Sequence, residues 1–257
     1  MRETMREFNT DGMIIGRPNQ AVNEESATQK YPIGTLYEAF GRRWRYCRAA
    51  AALTPGKRGC PNMAPASWTA GVMSMGSDST TVTGTAGDRE VIIFTGADYD
   101  IAHAIDYFQD GILCVFPAAG IAIHQYRIIG NDLSYTSDTY MKVFIDPPLA
   151  ATEVSTPCDV MSSPYKNVGA PSSVGTGYSV VVVPEILVTS GYYFWGQTRG
   201  PCFVTPNAEW TTASTREAEW HTNGTIKAAA GVALQRAGYI LYCNAADADA
   251  YIMLMLE

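Results

Sequence analysis

No GxSxG, HExxH, Walker-type phosphate loop or GxGxxG occurs in the 257 residues, which removes the enzyme classes those motifs carry. Histidine is scarce: His103, His124 and His221 are the three, far apart and in different contexts. His124 falls within an expected strand and reads as a satisfied structural imidazole rather than a base or ligand. No apolar run approaches the roughly 18 to 20 residues of a membrane span, so no membrane partner is expected. The opening residues 1–7 are charged and no apolar core of signal-peptide length follows them, so the expectation is a protein made and first kept in a cytosol. The six cysteines, Cys47, Cys60, Cys114, Cys158, Cys202 and Cys243, form no CxxC pair. That spacing argues against a zinc ribbon or a thioredoxin-like site, and the thiols are expected to be reduced and mostly buried. An excess of positive charge is also missing. The formal net charge is -7, and no direct nucleic-acid partner is expected.

What the chain does have is apolar residues, 47% of the total, enough for one large or two modest cores. They fall in short runs. Val91-Ile92-Ile93-Phe94 fits a buried strand, and strands are expected over 112–116, 121–129, 139–145, 178–183, 239–243 and 251–256. Met141, Val143 and Ile145 alternate with Tyr140, Lys142 and Phe144, as in a half-buried antiparallel strand. Ile101, Ala104, Ile105 and Phe108 sit at helical spacing and predict a two-turn helix before Asp110-Gly111. Residues 54–88 and 146–177 read as long connections, with weak strands near 68–75 and 80–83. The stretch 215–220 is expected to hold one helical turn or none. Asn223-Gly224 predicts a tight turn with positive φ. Many short strands with frequent turns make the chain mainly β, an antiparallel β-sandwich or β-barrel with long loops. Residues 1–30 are polar and read as an N-terminal arm that finds its order against a partner or the body of the fold. Residues 31–257 form the body, with a possible division into two subdomains near 146–177.

Two stretches stand out for function. In Gly191-Tyr192-Tyr193-Phe194-Trp195-Gly196-Gln197-Thr198-Arg199-Gly200-Pro201-Cys202, four consecutive aromatics precede a Gly-Pro turn, with Phe203 to Thr205 as a hairpin partner beyond it. This is the expected centre of the main sheet. Strand alternation puts Tyr193, Trp195 and Arg199 on one face, where they could form a flat binding platform for a carbohydrate or receptor. The second stretch holds Arg42, Arg43, Arg45 and Arg48, followed by Lys57 and Arg58, so that six of the 18 basic residues fall between 42 and 58. In a strand, Phe40, Trp44 and Tyr46 would share a face with Arg42 and Arg48. Arg43 and Arg45 would point out. One reading, the commoner for a charge run, is a solvated face whose arginines pair with the chain's own acids. The other is a docking patch for a carboxylate- or phosphate-rich partner. A divalent cation at Asp98, Asp100, His103 and Asp106 is the one metal arrangement to weigh, and a hydrolase built on it is a rival reading. The glycine and closing glutamate of a calcium loop are missing there, so neither metal nor cofactor is expected.

The run Gln29-Lys30-Tyr31-Pro32-Ile33-Gly34-Thr35 leading to Gly41-Arg42-Arg43-Trp44-Arg45-Tyr46-Cys47-Arg48-Ala49 resembles the start of a set of tailed-bacteriophage and viral-metagenome virion proteins, in which YPxGT is followed by GRxFRYxxA. The stretch 191–201 is similar to their GYYGWVQTRGP segment, with departures at Phe194 and Gly196. Asn223-Gly224-Thr225 and the apolar last strand are similar to their ends. The resemblance implies a structural protein of the virion, a capsid decoration or cement protein on the outer head surface, assembled in the host cytoplasm. Its partners would be the major capsid protein and itself, most simply as a homotrimer, and no catalytic residue is implied. Attachment would run through the arm and the Arg-rich strand, by strand addition and charge-assisted bonds. A shell-forming capsid subunit is the remaining alternative.

Overall fold

The computed structural model describes residues 13–14, 17–54, 57–62, 80–94, 104–117, 123–134, 139–171, 179–207, 216–229, 234–244 and 249–257. The chain forms two compact units, one from Met1–Met63 with Pro164–Glu257 and the other from Ala64–Ser163. It enters the first unit with β1 (Met13–Ile14), β2 (Leu36–Ala39), β3 (Arg42–Arg48) and β4 (Cys60–Pro61). The second unit holds β5 (Thr81–Gly84), β6 (Glu90–Phe94), β7 (Ile112–Val115), β8 (His124–Asn131), β9 (Tyr140–Asp146) and β10 (Glu153–Met161). The chain then returns with β11 (Val180–Pro184), β12 (Tyr193–Val204), β13 (Glu217–Trp220), β14 (Ile226–Ala228), β15 (Arg236–Asn244) and β16 (Asp249–Met255). The two crossings between the units, at 63/64 and 163/164, fall within the connections expected over 54–88 and 146–177.

The second unit is a closed antiparallel barrel in the order β10-β5-β6-β9-β8-β7. Alternation fills it: Val91 and Ile93 from β6, Tyr126 and Ile128 from β8, and Met141, Val143 and Ile145 from β9 all point into one core. β10 was expected to be loop because Pro157 interrupts it. The strand survives because Pro157 stands where β10 changes neighbours, from β5 through Thr81 to β7 from Cys158 onward. No helix forms at 104–110. Asp106 and Asp110 take positive φ (58° and 64°), and Asn131 captures the backbone instead. Its Oδ1 accepts from Phe108 N–H (2.7 Å) and its Nδ2 donates to Ala104 O (3.0 Å).

In the first unit the sheet runs β1-β2-β3-β12-β16-β15-β13-β14, with β11 pairing β12 and β4. β12 is its centre. β3 pairs its first half, β16 its second, and β11 touches it at Gly196 and Gln197. The expected Gly-Pro turn is absent: the strand continues through Gly200 and Pro201 by way of a register shift between Gln197 and Arg199, with Gly200 at φ 93°. The buried Gln197 amide bridges the irregularity, its Nε2 donating to Arg199 O and Pro201 O (3.0 Å each). Phe203 and Val204 therefore complete β12 and do not form a separate hairpin partner. The stretch 217–220 is strand, not helix, and Gly224 turns at φ 72°. Beyond β11, Val188 makes a single bridge to Leu53.

The two departures from the virion-protein pattern, Phe194 and Gly196, lie on one face of β12. Phe194 is fully buried among Cys47, Val182 and Val188, and Gly196 leaves the space that Val182 fills. The opposite side packs Trp44, Tyr46 and Trp195 against Tyr31, Ile33 and Ile14. The described part of the N-terminal arm belongs to this body. Gln20 is buried, with its Nε2 donating to Glu24 O (2.9 Å) and Tyr193 O (3.0 Å), while Tyr46 hydroxyl donates to its Oε1 (2.8 Å) and Trp195 Nε1 to its carbonyl (2.9 Å). Cys47, Cys60, Cys114, Cys158 and Cys202 are buried free thiols.

Candidate binding face

The Arg-rich strand is largely neutralised by its own chain. Arg42 pairs with Glu185 and donates to Gln197 Oε1 (2.6 Å), and its guanidinium lies 4.7 Å from the Trp44 ring centroid. Arg43 pairs with Glu38 (2.8 Å). Arg45 pairs with Glu257 (2.7 Å), donates to Gly34 O (3.0 Å) and covers Tyr165 at 5.7 Å. Burial alone would raise the Glu257 carboxyl, but hydrogen bonds from Arg45 and Tyr165, with the fields of Arg45 and Arg43, hold it below its ordinary value. Arg48 is half-buried opposite Tyr193. Lys57 lies 4.5 Å from the Phe203 ring centroid, and Arg58 is half-buried. A concentrated positive patch over 42–58 is thus not what the fold builds. Nor is β3 free to accept an added strand, because β2 and β12 occupy its two edges.

The aromatic platform is also corrected. Trp195 is 0% exposed, Tyr193 is half-buried and stacked beside Tyr46, and of the three Arg199 alone is exposed. The alternation that grouped them is interrupted by the register shift before Arg199. Phe40 does not share the face of Trp44 and Tyr46. It occupies the tip of the two-residue connection between β2 and β3, 97% exposed, with positive φ at both Phe40 (53°) and Gly41 (72°). Those are the dihedral signs of a type I′ hairpin, which suits the twist of the strands and favours Asn or Gly over a bulky side chain. Asp98, Asp100 and His103 lie outside the described residues, Asp106 sits in a turn, and no metal-binding cluster exists among the described residues.

What Arg199 does join is the outer face of β12, β16 and β15. Register gives three rows across it. Phe203, Tyr251 and Tyr242 form one, Pro201, Met253 and Tyr239 the next, and Arg199 with Met255 the third. The third row continues onto β3 and β2 through Arg43 and Glu38. Tyr242 is 60% exposed and Met255 53%, with Tyr239, Leu241 and Tyr251 each above 40%. On the inner face of the same strands, Ile252 and Leu254 are fully buried beside Ala237 and Val204. Alternation in the last strand therefore does leave an apolar residue on both sides, one set buried and one exposed. A depression of about 410 Å³ opens at the Arg43 and Arg199 corner of the outer face, lined also by Tyr239, Met253 and Met255. Sequence reasoning missed this face because every residue from Tyr251 to Leu256 is apolar, so alternation does not say which side of the last strand is buried.

No protein-family model matches the sequence, and no curated protein or solved structure matches it.

Proposed function

We propose that the chain is a non-enzymatic structural protein of a virion, a capsid decoration protein that attaches to the outer head surface. The outer face of β12, β16 and β15 is the attachment surface, with Phe40 at its rim next to Gly41. The observation that carries this reading is the apolar character of that face. Single exposed apolar residues are ordinary, but a contiguous aromatic and methionine band on a sheet whose other side is saturated marks an interaction surface. Tyrosine suits the role, since its ring offers contact area at low entropic cost and its hydroxyl remains solvated until docking. The partners are the major capsid protein and, within a homotrimer, further copies of the chain. The place of action is the capsid surface.

Phe40 supplies the test. Phe40→Asn removes the exposed ring and installs the residue that the turn favours. It should leave the fold unharmed, or stabilise it by about 0.5–1 kcal/mol, while weakening docking. Tyr242→Glu with Tyr251→Glu should do the same more strongly by placing charge on the face. Co-sedimentation with purified heads and analytical ultracentrifugation of the free protein report the two partners. Undiminished binding to heads and unchanged association by both variants would overturn the assignment of this face.

A further inference from the structure

The depression at the corner of the outer face has a chemistry separate from the apolar band. Arg43 and Arg199 stand directly opposite one another on β3 and β12. Like charges so placed are destabilising. Glu38, opposite Arg43 on β2, neutralises one of them through Oε2 at 2.8 Å. Arg199 is exposed, and among the described residues its guanidinium has no ion-pair or hydrogen-bond partner. The corner therefore carries one uncompensated guanidinium beside a carboxylate whose Oε1 is open to a donor. Its remaining walls are the ring of Tyr239 and the thioether chains of Met253 and Met255.

From these groups we infer that the depression is a binding site for an acidic sugar, a pyranose bearing a carboxylate, as the terminal or repeating unit of an acidic glycan. The planar fork of Arg199 receives the carboxylate in a bidentate pair. Glu38 Oε1 accepts a ring hydroxyl, which a purely apolar or purely cationic site could not do. The half-exposed Tyr239 ring offers a flat surface to the C–H face of the sugar. A monoanion is favoured over a phosphate dianion, because one positive charge is unmatched and Glu38 repels a second negative charge at short range. The volume, about 410 Å³, lies in the range of small-ligand sites and accommodates one or two sugar rings. Gly200, at φ 93° against the backbone of Gly41 and Arg42, keeps the wall of the depression at backbone height, because a side chain there would collide with that backbone. The site shares Tyr239, Met253 and Met255 with the outer face but takes its specificity from Arg199 and Glu38, so its test is separate from the Phe40, Tyr242 and Tyr251 variants that report attachment.

The experiment is a calorimetric titration of the full chain with sodium glucuronate and, in parallel arms, glucose, sodium acetate and inorganic phosphate. Glucuronate should bind and weaken as salt is raised, with glucose and acetate each at least about 10-fold weaker, because each lacks half of the recognition. Arg199→Gln should lower glucuronate affinity by about 10-fold or more without lowering the thermal midpoint. Glu38→Gln should weaken glucuronate far less than Arg199→Gln and should raise the affinity for phosphate, because the nearby negative charge is gone. Tyr239→Ala should weaken glucuronate and leave acetate unchanged. Phosphate or acetate binding as tightly as glucuronate would overturn the sugar assignment, as would binding that Arg199→Gln leaves intact, or no heat from glucuronate.

Discussion

Gly196→Ala is the sharpest test of the packing at the sheet's centre. A Cβ built on Gly196 would lie 2.5 Å from Val182 Cβ and 2.8 Å from each of its methyl carbons, where carbon pairs settle at about 3.5–4.0 Å. Rotating Val182 cannot relieve the shortest contact, because Cβ does not move with χ1. β11 would have to move away bodily, yet it is held on two sides, by β12 and by β4. Overpacking of this kind costs about 1–3 kcal/mol, and alanine regains about 0.5–1 kcal/mol of it because glycine loses more entropy on folding. A net loss of about 1–2 kcal/mol is expected, roughly 2–8 °C in thermal midpoint for a unit of this size. Val182→Gly opens the opposite defect, with about 3–4 kcal/mol lost through the vacated side chain and the glycine. In the double variant the new methyl group occupies part of the vacated volume, so the combined loss should fall short of the sum by about 1–2 kcal/mol. Urea denaturation followed by tryptophan fluorescence reads this unit, since Trp44, Trp195 and Trp220 are buried within it. An unchanged midpoint for Gly196→Ala, or additivity within about 0.5 kcal/mol, would refute the close approach of β11 to β12.

Gln20→Ala should destabilise the first unit by about 2–3 kcal/mol, because its side chain serves Tyr46, Glu24 and Tyr193 together; a truncation lacking residues 1–30 should likewise lower the denaturation midpoint, whereas a free arm would leave it unmoved. Asn131→Ala strands Phe108 N–H and Ala104 O and should cost the barrel unit about 2–3 kcal/mol, with faster hydrogen exchange at Phe108 as the local readout. The Glu257 carboxyl is held below its ordinary value, so its stabilisation is complete above the unfolded-state pKa and is lost as pH falls through the folded one. The stability difference between wild type and Glu257→Gln should therefore be constant near neutrality and shrink below about pH 4; a difference that grows on acidification would contradict the Arg45 pairing.

How far the sequence could be read depended on the range of the interaction. Period-2 alternation in β9 is local, and Met141, Val143 and Ile145 are buried as it requires. The aromatic stretch of β12 was legible as the sheet's centre because four consecutive aromatics can be covered only by neighbours on both sides. The helix expected before Asp110 failed because the spacing of Ile101, Ala104, Ile105 and Phe108 says nothing of Asn131, whose side chain takes the backbone groups a helix would have used. Pro157 hid β10 because its tolerance depends on where the strand exchanges β5 for β7. The two readings of the charge run could not be separated locally for the same reason: Arg42 and Arg45 find their partners 143 and 212 positions away, at Glu185 and Glu257. Local composition showed six positive charges together, and only the fold showed which acids were brought to them.

Strand addition and face docking are the two general ways a β protein takes a macromolecular partner, and the topology discriminates between them. The barrel unit is closed and offers no edge. Among the described residues, the path of the large sheet ends on one side in β1, two residues paired in parallel to β2, and on the other in β14, three residues long. Edges this short template little additional pairing, which is how β proteins ordinarily avoid edge-to-edge association. The same chain nevertheless leaves Tyr239, Tyr242, Tyr251 and Met255 uncovered on the broad outer face of three long strands, and places Phe40 in a backbone conformation that a bulky residue disfavours. With short edges and an apolar face, the proposed attachment would run through side chains rather than backbone ladders. Specificity should then respond to substitutions at Phe40, Tyr242 and Tyr251, and remain indifferent to proline placed in β1 or β14 at positions whose N–H groups face solvent.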